Sequence, residues 1–241
     1  YYKNREGLVM HNEARDYLED LDQLAQPALE LVDYNRYYSS MLKSSKIATM
    51  ITSRGCPYNC KFCARSNLGR GFRYRSPANV ADEVEKYLDF GLRTIVFFDD
   101  TFTVNRNRVI GVCKEFKRRG FNVNWSARAN VNDLDYGVLK EMKSAGCEQI
   151  NYGVESGNDE ILKRLNKNIT TERIAEIFKF TKQAGIKIGA YFMIGCPGET
   201  EKEIEEIFKK TGDLGLTAKE CLEKRKQVTL FRKKLELNDV F

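Results

Sequence analysis

From Ile47 onward the chain alternates short apolar runs with amphipathic stretches, and this alternation limits the possible folds more than any other feature. Strand candidates begin near Ile47, Thr94, Val123, Glu148 and Ile186, and the third, Val123-Asn-Trp-Ser-Ala-Arg128, is the most polar. Between them apolar residues recur at the spacing of one helix face. Val80, Val84, Tyr87 and Leu88 form one such face, Val109, Val112, Cys113 and Phe116 the next, and Ile204, Ile207 and Phe208 the last. Ser76 is placed to cap the first helix ahead of Pro77, and Gly91, Gly120, Gly146 and Gly185 stand where helices should close. Repeated β-α units predict a parallel sheet. Right-handed crossovers curl such a sheet toward a barrel, with functional groups at the carboxyl ends of the strands. The expected class is α/β: a partial, TIM-like (β/α) barrel of five clear units, with no sixth strand of comparable quality. An open doubly wound sheet would align the same residues along one edge, but the chain lacks a dinucleotide-binding glycine fingerprint.

The rule about strand ends selects residues. After the first strand come Cys56, Cys60 and Cys63, separated by three residues and then by two. After the second come Asp99 and Asp100, at the end of the third Arg128, on the fourth Glu155 and Ser156, and after the fifth the turn from Gly195 to Glu199. Three thiols crowded into so short a loop are an oxidation hazard unless they are ligands or redox partners. An all-thiolate site suits zinc or an iron-sulfur cluster and disfavours calcium and magnesium. A closed zinc site needs four ligands. The other cysteines, Cys113, Cys147, Cys196 and Cys221, are isolated from one another, and the single histidine, His11, is distant. Zinc therefore remains an alternative only with a distant fourth ligand such as Cys196, whereas a cubane held by three thiolates leaves one iron open for chemistry.

Composition sets the remaining bounds. With 241 residues and 42% hydrophobic content, the chain can bury one large α/β core. No 18-residue apolar run is present, so no membrane span is expected. Seven cysteines, three of them clustered, suit a reducing compartment, and the cytoplasm is the natural expectation. A net charge of +6 spread over 40 basic and 34 acidic residues reads as a solvated surface; a nucleic-acid groove would need a clustered stripe.

The C-x3-C-x2-C spacing, with the aromatic Phe62 before the last cysteine, resembles the signature of the radical S-adenosylmethionine (SAM) superfamily. The resemblance continues through Tyr74-Arg-Ser-Pro77, Phe97-Phe-Asp-Asp-Thr-Phe-Thr103, Gly153-Val-Glu-Ser-Gly157 and Met193-Ile-Gly-Cys-Pro-Gly-Glu-Thr200. It is strongest with the cobalamin-binding (B12-type) branch. It implies a [4Fe-4S] cluster held by Cys56, Cys60 and Cys63, with SAM chelating the open iron through its amino and carboxylate groups. A reductant such as flavodoxin or ferredoxin would supply the electron that yields a 5'-deoxyadenosyl radical.

The resemblance also implies roles for the rim. Phe62 should contact adenine. Asp99 and Asp100 occupy the place of the family's glycine-rich, acid-containing segment, with Asp-Asp-Thr standing for Gly-Gly-Glu, and the pair is expected to meet the methionine ammonium or else to cap the following loop. Arg128 can grip the SAM carboxylate in two-point fashion, or can form a salt bridge to Asp99, Asp100 or Glu155. Glu155 and Ser156 correspond to the family's ribose contact. The backbone at Gly195 can approach adenine, or the turn serves only to lead into a helix capped by Thr200.

Residues 1–45 read as a linker to a cobalamin-binding domain or as an extension packed on the barrel, with a short helical possibility over residues 12–23. Residues 46–216 form the core, and residues 217–241 a basic, atypical tail. No Asp-x-His-x-x-Gly segment, the family's lower cobalamin ligand motif, is present, so cobalamin is expected only through a domain outside this sequence. Cobalamin-dependent methyl transfer is the leading expectation for the reaction. An RNA methylthiotransferase-type enzyme, which would use the basic tail, and a non-catalytic iron-sulfur or zinc module are the alternatives.

Overall fold

The apolar runs become five parallel strands in a computed structural model that describes residues 1–13, 15–39, 44–64, 71–196, 198–200 and 202–203. The helix expected around Ile204, Ile207 and Phe208, the question of a sixth unit, Cys221 and the basic tail lie outside the described residues. The strands are β1 (Ile47–Met50), β2 (Thr94–Phe97), β3 (Asn124–Ala129), β4 (Cys147–Glu155) and β5 (Lys187–Phe192), and they follow sequence order across the sheet. Ile47 and Asn124 both pair with Thr94, Ile150 pairs with Ala127, and Asn151 with Gly189. Helices α1 (Pro77–Asp89), α2 (Arg106–Arg118), α3 (Tyr136–Ser144), α4 (Asp159–Arg164) and α5 (Thr171–Gln183) supply the crossovers. Helix α1 packs on α2, α2 on α3 and α3 on α5. The expected partial (β/α) barrel is the observed architecture.

Local chemistry explains the boundaries. The Ser76 hydroxyl accepts the N–H of Asn79, with Pro77 in the first turn of α1, where its missing N–H leaves no intrahelical bond unmade. The short helix α4 was not expected; six residues are too few to show a period, but Asn158 caps it by accepting the N–H groups of Glu160 and Ile161. The helical possibility over residues 12–23 reduces to one 3-10 turn, Leu21–Gln23. The N-terminal segment nevertheless contributes to the body of the protein: Leu29 joins the main core, the Leu18 carbonyl accepts from Arg73 Nη1 at 3.1 Å, and Asp22 accepts the Ser76 N–H at 2.8 Å.

The strand period of two divides β4 into two faces. Ile150 and Tyr152 are fully buried, and the Tyr152 hydroxyl lies 2.7 Å from Thr181 Oγ1 on α5, so this face packs against the helices. Asn151, Gly153 and Glu155 face the other way and line a cavity at the carboxyl ends of the strands. In the core, Phe97 stacks on Phe102 at 4.9 Å between ring centroids and meets Trp125 edge-on at 5.4 Å.

Among the described glycines the closest backbone approach lies at Gly146, between α3 and β4, where φ is +93° and an added Cβ would stand 2.0 Å from the Val123 carbonyl oxygen. A side chain there must distort both the turn and the start of β3. Gly146→Ala is expected to lower unfolding free energy by about 2–4 kcal/mol, measurable by urea denaturation; an unchanged midpoint would show that the turn can be rebuilt without cost.

Candidate cofactor site

The cysteine loop begins on a buried anchor. The Asp99 side chain, at the end of β2, accepts the Thr52 N–H at 2.5 Å, the Thr52 hydroxyl at 2.6 Å and the Ser53 hydroxyl at 2.7 Å. Its charge is balanced by the buried Arg108 of α2, whose Nη2 lies 3.8 Å from Asp99 Oδ2. Arg108 also donates to the carbonyls of Thr52, Phe102 and Arg75, and burial pushes its guanidinium below its ordinary pKa. Fully buried, with both oxygens accepting hydrogen bonds, this carboxylate does not line the cavity. Asp100 points the other way and lines the cavity. Alternation at the strand end thus separates the two carboxylates that the sequence presents as a pair.

The cavity encloses about 420 Å³ and is lined by Cys56, Cys60 and Cys63 together with Phe62, Asp100, Arg128 and Glu155. Seven of the expected site residues therefore share one space, although they come from four different β-α units. Cys56 Sγ lies 3.6 Å from Thr101 Oγ1, and burial raises the pKa of the Cys60 thiol. Ser156 is buried, but its hydroxyl accepts the Asn158 N–H at 3.2 Å and does not line the cavity. Gly195 does not line it either; with φ at +92°, its N–H donates to Glu199 Oε2 at 2.5 Å. Cys196 lies in a small cluster with Ile161 and Leu165, its thiol pushed up to about 11 by burial.

Arg128 holds its guanidinium 4.4 Å over the Phe98 ring. Among the described residues it forms no ion pair with Asp99, Asp100 or Glu155, the partners a purely structural role would use. Glu155 has a partner that the sequence did not reveal: Lys167 Nζ lies 3.0 Å from Glu155 Oε1, and both side chains are largely buried. The same ammonium stands 5.7 Å from the centroid of the Phe62 ring. Two backbone features make room for this pair. Glu155 adopts φ +68° at a register shift between β4 and β5, and a Cβ on Gly153 would stand 2.7 Å from Glu155 Oε1 and 2.9 Å from Lys167 Nζ. Asn151 and Tyr191, also absent from the sequence reading, complete the wall. Period-two counting back from Glu155 would have found Asn151.

The loop between the cysteines is fixed by distant elements. Tyr58 donates its hydroxyl to Asp133 Oδ1, in the turn after β3; Thr103 donates to the other oxygen at 2.8 Å. Burial raises the pKa of the Asp133 carboxyl. The Lys61 N–H donates to the Leu165 carbonyl at 2.9 Å, and Asn166 Nδ2 to the Asn59 carbonyl at 2.7 Å.

This donor set fits an iron-sulfur cluster. Three thiols on one wall of a cavity can each take a different iron, and no carboxylate stands among them in the loop. Among the described residues, no three His, Cys, Asp or Glu side chains converge as a single metal ion requires. Another cavity, of about 490 Å³ between the N-terminal segment and β1, contains none of the cysteines.

The Radical SAM superfamily model matches residues 50–211, a span that begins at the end of β1 and contains every site residue above. The chain belongs to the radical SAM superfamily. It is 32% identical over 205 residues to an uncharacterized methyltransferase of Pyrococcus horikoshii, covering 84% of this chain and 44% of that protein. To the anaerobic magnesium-protoporphyrin IX monomethyl ester cyclase of Rubrivivax gelatinosus it is 30% identical over 218 residues, covering 88% of this chain and 38% of that protein. The chain thus spans less than half the length of either relative. In fold, this radical SAM chain is similar to the cobalamin-dependent SAM radical enzyme OxsB, solved with aqua-cobalamin and SAM bound. That similarity has a TM-score of 0.70 at 22% identity, over 86% of this chain and 31% of that one. No helix among the described residues is long and apolar enough to cross a membrane.

The different settings of Asp99 and Asp100 can be measured. Removing one member of a fully buried ion pair costs about 3–5 kcal/mol, so Asp99→Ala should strongly lower the denaturation midpoint. Asp100→Ala, at an exposed position, should change stability by no more than about 0.5 kcal/mol. Equal midpoints for the two variants would contradict the separation of their roles.

Proposed function

We propose that this chain is the catalytic core of a cobalamin-dependent radical SAM enzyme that performs methyl transfer or a related radical reaction. The observation that carries the reading is the convergence of Cys56, Cys60 and Cys63 with charged groups of both signs in one cavity. The methyltransferase and cyclase relatives and the fold shared with OxsB support the branch. Cys56, Cys60 and Cys63 would hold a [4Fe-4S] cluster. Such a cluster supplies, when reduced, the electron that cleaves SAM to methionine and a 5'-deoxyadenosyl radical.

The protein's own part is binding, orientation and exclusion of water. Asp100 offers an acceptor for the ammonium of the methionine moiety, and Arg128 donors for its carboxylate. Glu155 can accept from ribose hydroxyls while Lys167 holds it in place, and Phe62 offers an apolar face to adenine. Asp99, Ser156 and Gly195, which do not line the cavity, would act by shaping the elements that do. The reductant is a small electron carrier such as flavodoxin or ferredoxin. Residues 1–45, which pack on the 46–216 core through Leu29, Leu18 and Asp22, would serve as an extension of that core or lead from it to a cobalamin-binding domain outside this sequence. His11, whose ring meets Tyr1 edge-on at 3.8 Å, has no acid two positions before it and no glycine three after it to match the lower-ligand pattern.

Anaerobic reconstitution is expected to give a brown protein whose [4Fe-4S] spectrum is lost in Cys56→Ala, Cys60→Ala or Cys63→Ala and kept in Cys113→Ala. Stoichiometric zinc without iron would overturn the assignment. SAM affinity, measured by equilibrium titration of the iron-loaded protein, should fall about tenfold or more in Asp100→Ala and Glu155→Ala through lost charge-assisted hydrogen bonds. Unchanged affinity would return both residues to structural roles.

The purified chain, once reduced, is further expected to release 5'-deoxyadenosine from SAM without retaining hydroxocobalamin on gel filtration. Stoichiometric co-elution of the corrin would refute the placement of its site outside this sequence.

A further inference from the structure

Between the first two cysteines stands a side chain that the proposed cofactor chemistry leaves unused. Tyr58 is partly buried, and its hydroxyl reaches Asp133, 75 residues further along the chain. The acceptor is itself held: Asp133 lies in the 3-10 turn Val131–Asp133, its second oxygen accepts from Thr103, and Asn130 caps the turn by accepting the Asn132 N–H at 3.0 Å. Tyr58 is thus tied to the carboxyl end of β3 through a turn with little freedom. On its far side the loop is tied through its own backbone to the turn after α4: the Asn59 carbonyl accepts from Asn166 Nδ2 and the Lys61 N–H donates to the Leu165 carbonyl. Asn59 and Lys61 would keep those carbonyl and N–H contacts with other side chains. Tyr58 makes its bond through the side chain, so the identity of this residue decides whether that tie exists.

We propose that Tyr58 is a positioning residue for the cysteine loop: its hydrogen bond to Asp133 fixes the segment between Cys56 and Cys60, so that their thiolates are presented together before any iron binds. The inference rests on the iron-sulfur reading of the cavity and adds a residue to it. Three ligands on a short loop hold a cluster well only if they need not be reordered each time one iron-sulfur bond opens. A loop free to turn away after the first bond breaks would release iron faster.

The test measures release of iron from the reconstituted chain to an excess of a coloured ferrous chelator, under anaerobic conditions. Wild type, Tyr58→Phe, Asp133→Ala, Asp133→Asn and the double variant Tyr58→Phe/Asp133→Ala are compared. Tyr58→Phe and Asp133→Ala are each expected to lose iron about tenfold faster, from the loss of one hydrogen bond to a carboxyl group. The double variant should be no faster than Asp133→Ala, which already lacks the Tyr58 contact together with the one from Thr103. Asp133→Asn keeps an acceptor for the Tyr58 hydroxyl and should lie closer to wild type. Circular dichroism of the metal-free proteins serves as the folding control, and Tyr58→Phe, which changes a single loop hydroxyl, should match wild type.

Wild-type release rates in Tyr58→Phe, or additive effects in the double variant, would overturn the proposal while leaving the cluster assignment standing. Failure of the wild-type chain to take up iron would instead overturn the cluster assignment on which it rests.

Discussion

The site depends first on one buried carboxylate. Asp99 draws in the backbone and hydroxyl of Thr52 and the hydroxyl of Ser53, and Arg108 closes the group from α2. Burying a carboxylate without partners is costly, and three donors with a nearby guanidinium offset that cost. The geometric consequence matters more than the energy. Thr52 and Ser53 stand just before the cysteine loop, so the direction in which the chain leaves β1 is set by the end of β2 and by α2. Ser53 and Arg54 then pair with Tyr74 and Arg73 in a short antiparallel ladder, which brings the chain back toward α1 after the loop. The loop is therefore held at both ends before any of its own residues contribute.

Inside the cavity the charges are arranged as a set rather than as isolated groups. Asp100 and Arg128 are free of each other, whereas Glu155 is committed to Lys167 in a largely buried pair. Left-handed backbone at a glutamate costs about 1–3 kcal/mol. Here it accompanies the register shift that turns the carboxylate into the cavity. Gly153 is required by the same arrangement, since a methyl group there would collide with both charged ends. Gly189 repeats the device on β5: a Cβ would stand 2.1 Å from Asn151 Oδ1, so its absence leaves the inner face of β4 room for polar side chains. The glycines of the inner wall are thus volume left for the groups that would meet a ligand.

The strands and the longer helices were legible in the sequence because each carries its signal locally, whereas the six-residue α4 was not. All five strand starts fall within a residue of their expected places, and the helix caps at Ser76 and the closing glycines follow from backbone chemistry that acts over a few residues. The convergence of Cys56, Cys60 and Cys63 was legible because their spacing crowds three thiols onto one short loop after a strand. What escaped was contact between distant segments. Nothing local distinguishes Asp99 from Asp100; the sheet does so by sending successive side chains to opposite faces. Lys167 looks like an ordinary solvated lysine after a short helix until the fold carries it beside Glu155 and Phe62. Tyr58 and Asp133 are separated by 75 residues, a distance over which no periodicity carries information.

These long-range ties link the site to the cooperativity of the whole domain. The cysteine loop leaves the first β-α unit, leans on the second through Cys56 and Thr101, on the third through Tyr58 and Asp133, and on the fourth through Lys61 and Leu165. A partly folded chain could form β1 and the loop, yet it would lack the surfaces that orient the thiols. Any group bound by those thiols only in their native arrangement stabilises the assembled units together, because ligand affinity restricted to the folded state adds to folding stability. Selection for cofactor retention would then act on residues such as Asp133 that lie two units away from the ligands, through the rigidity of a turn rather than through contact with the cofactor.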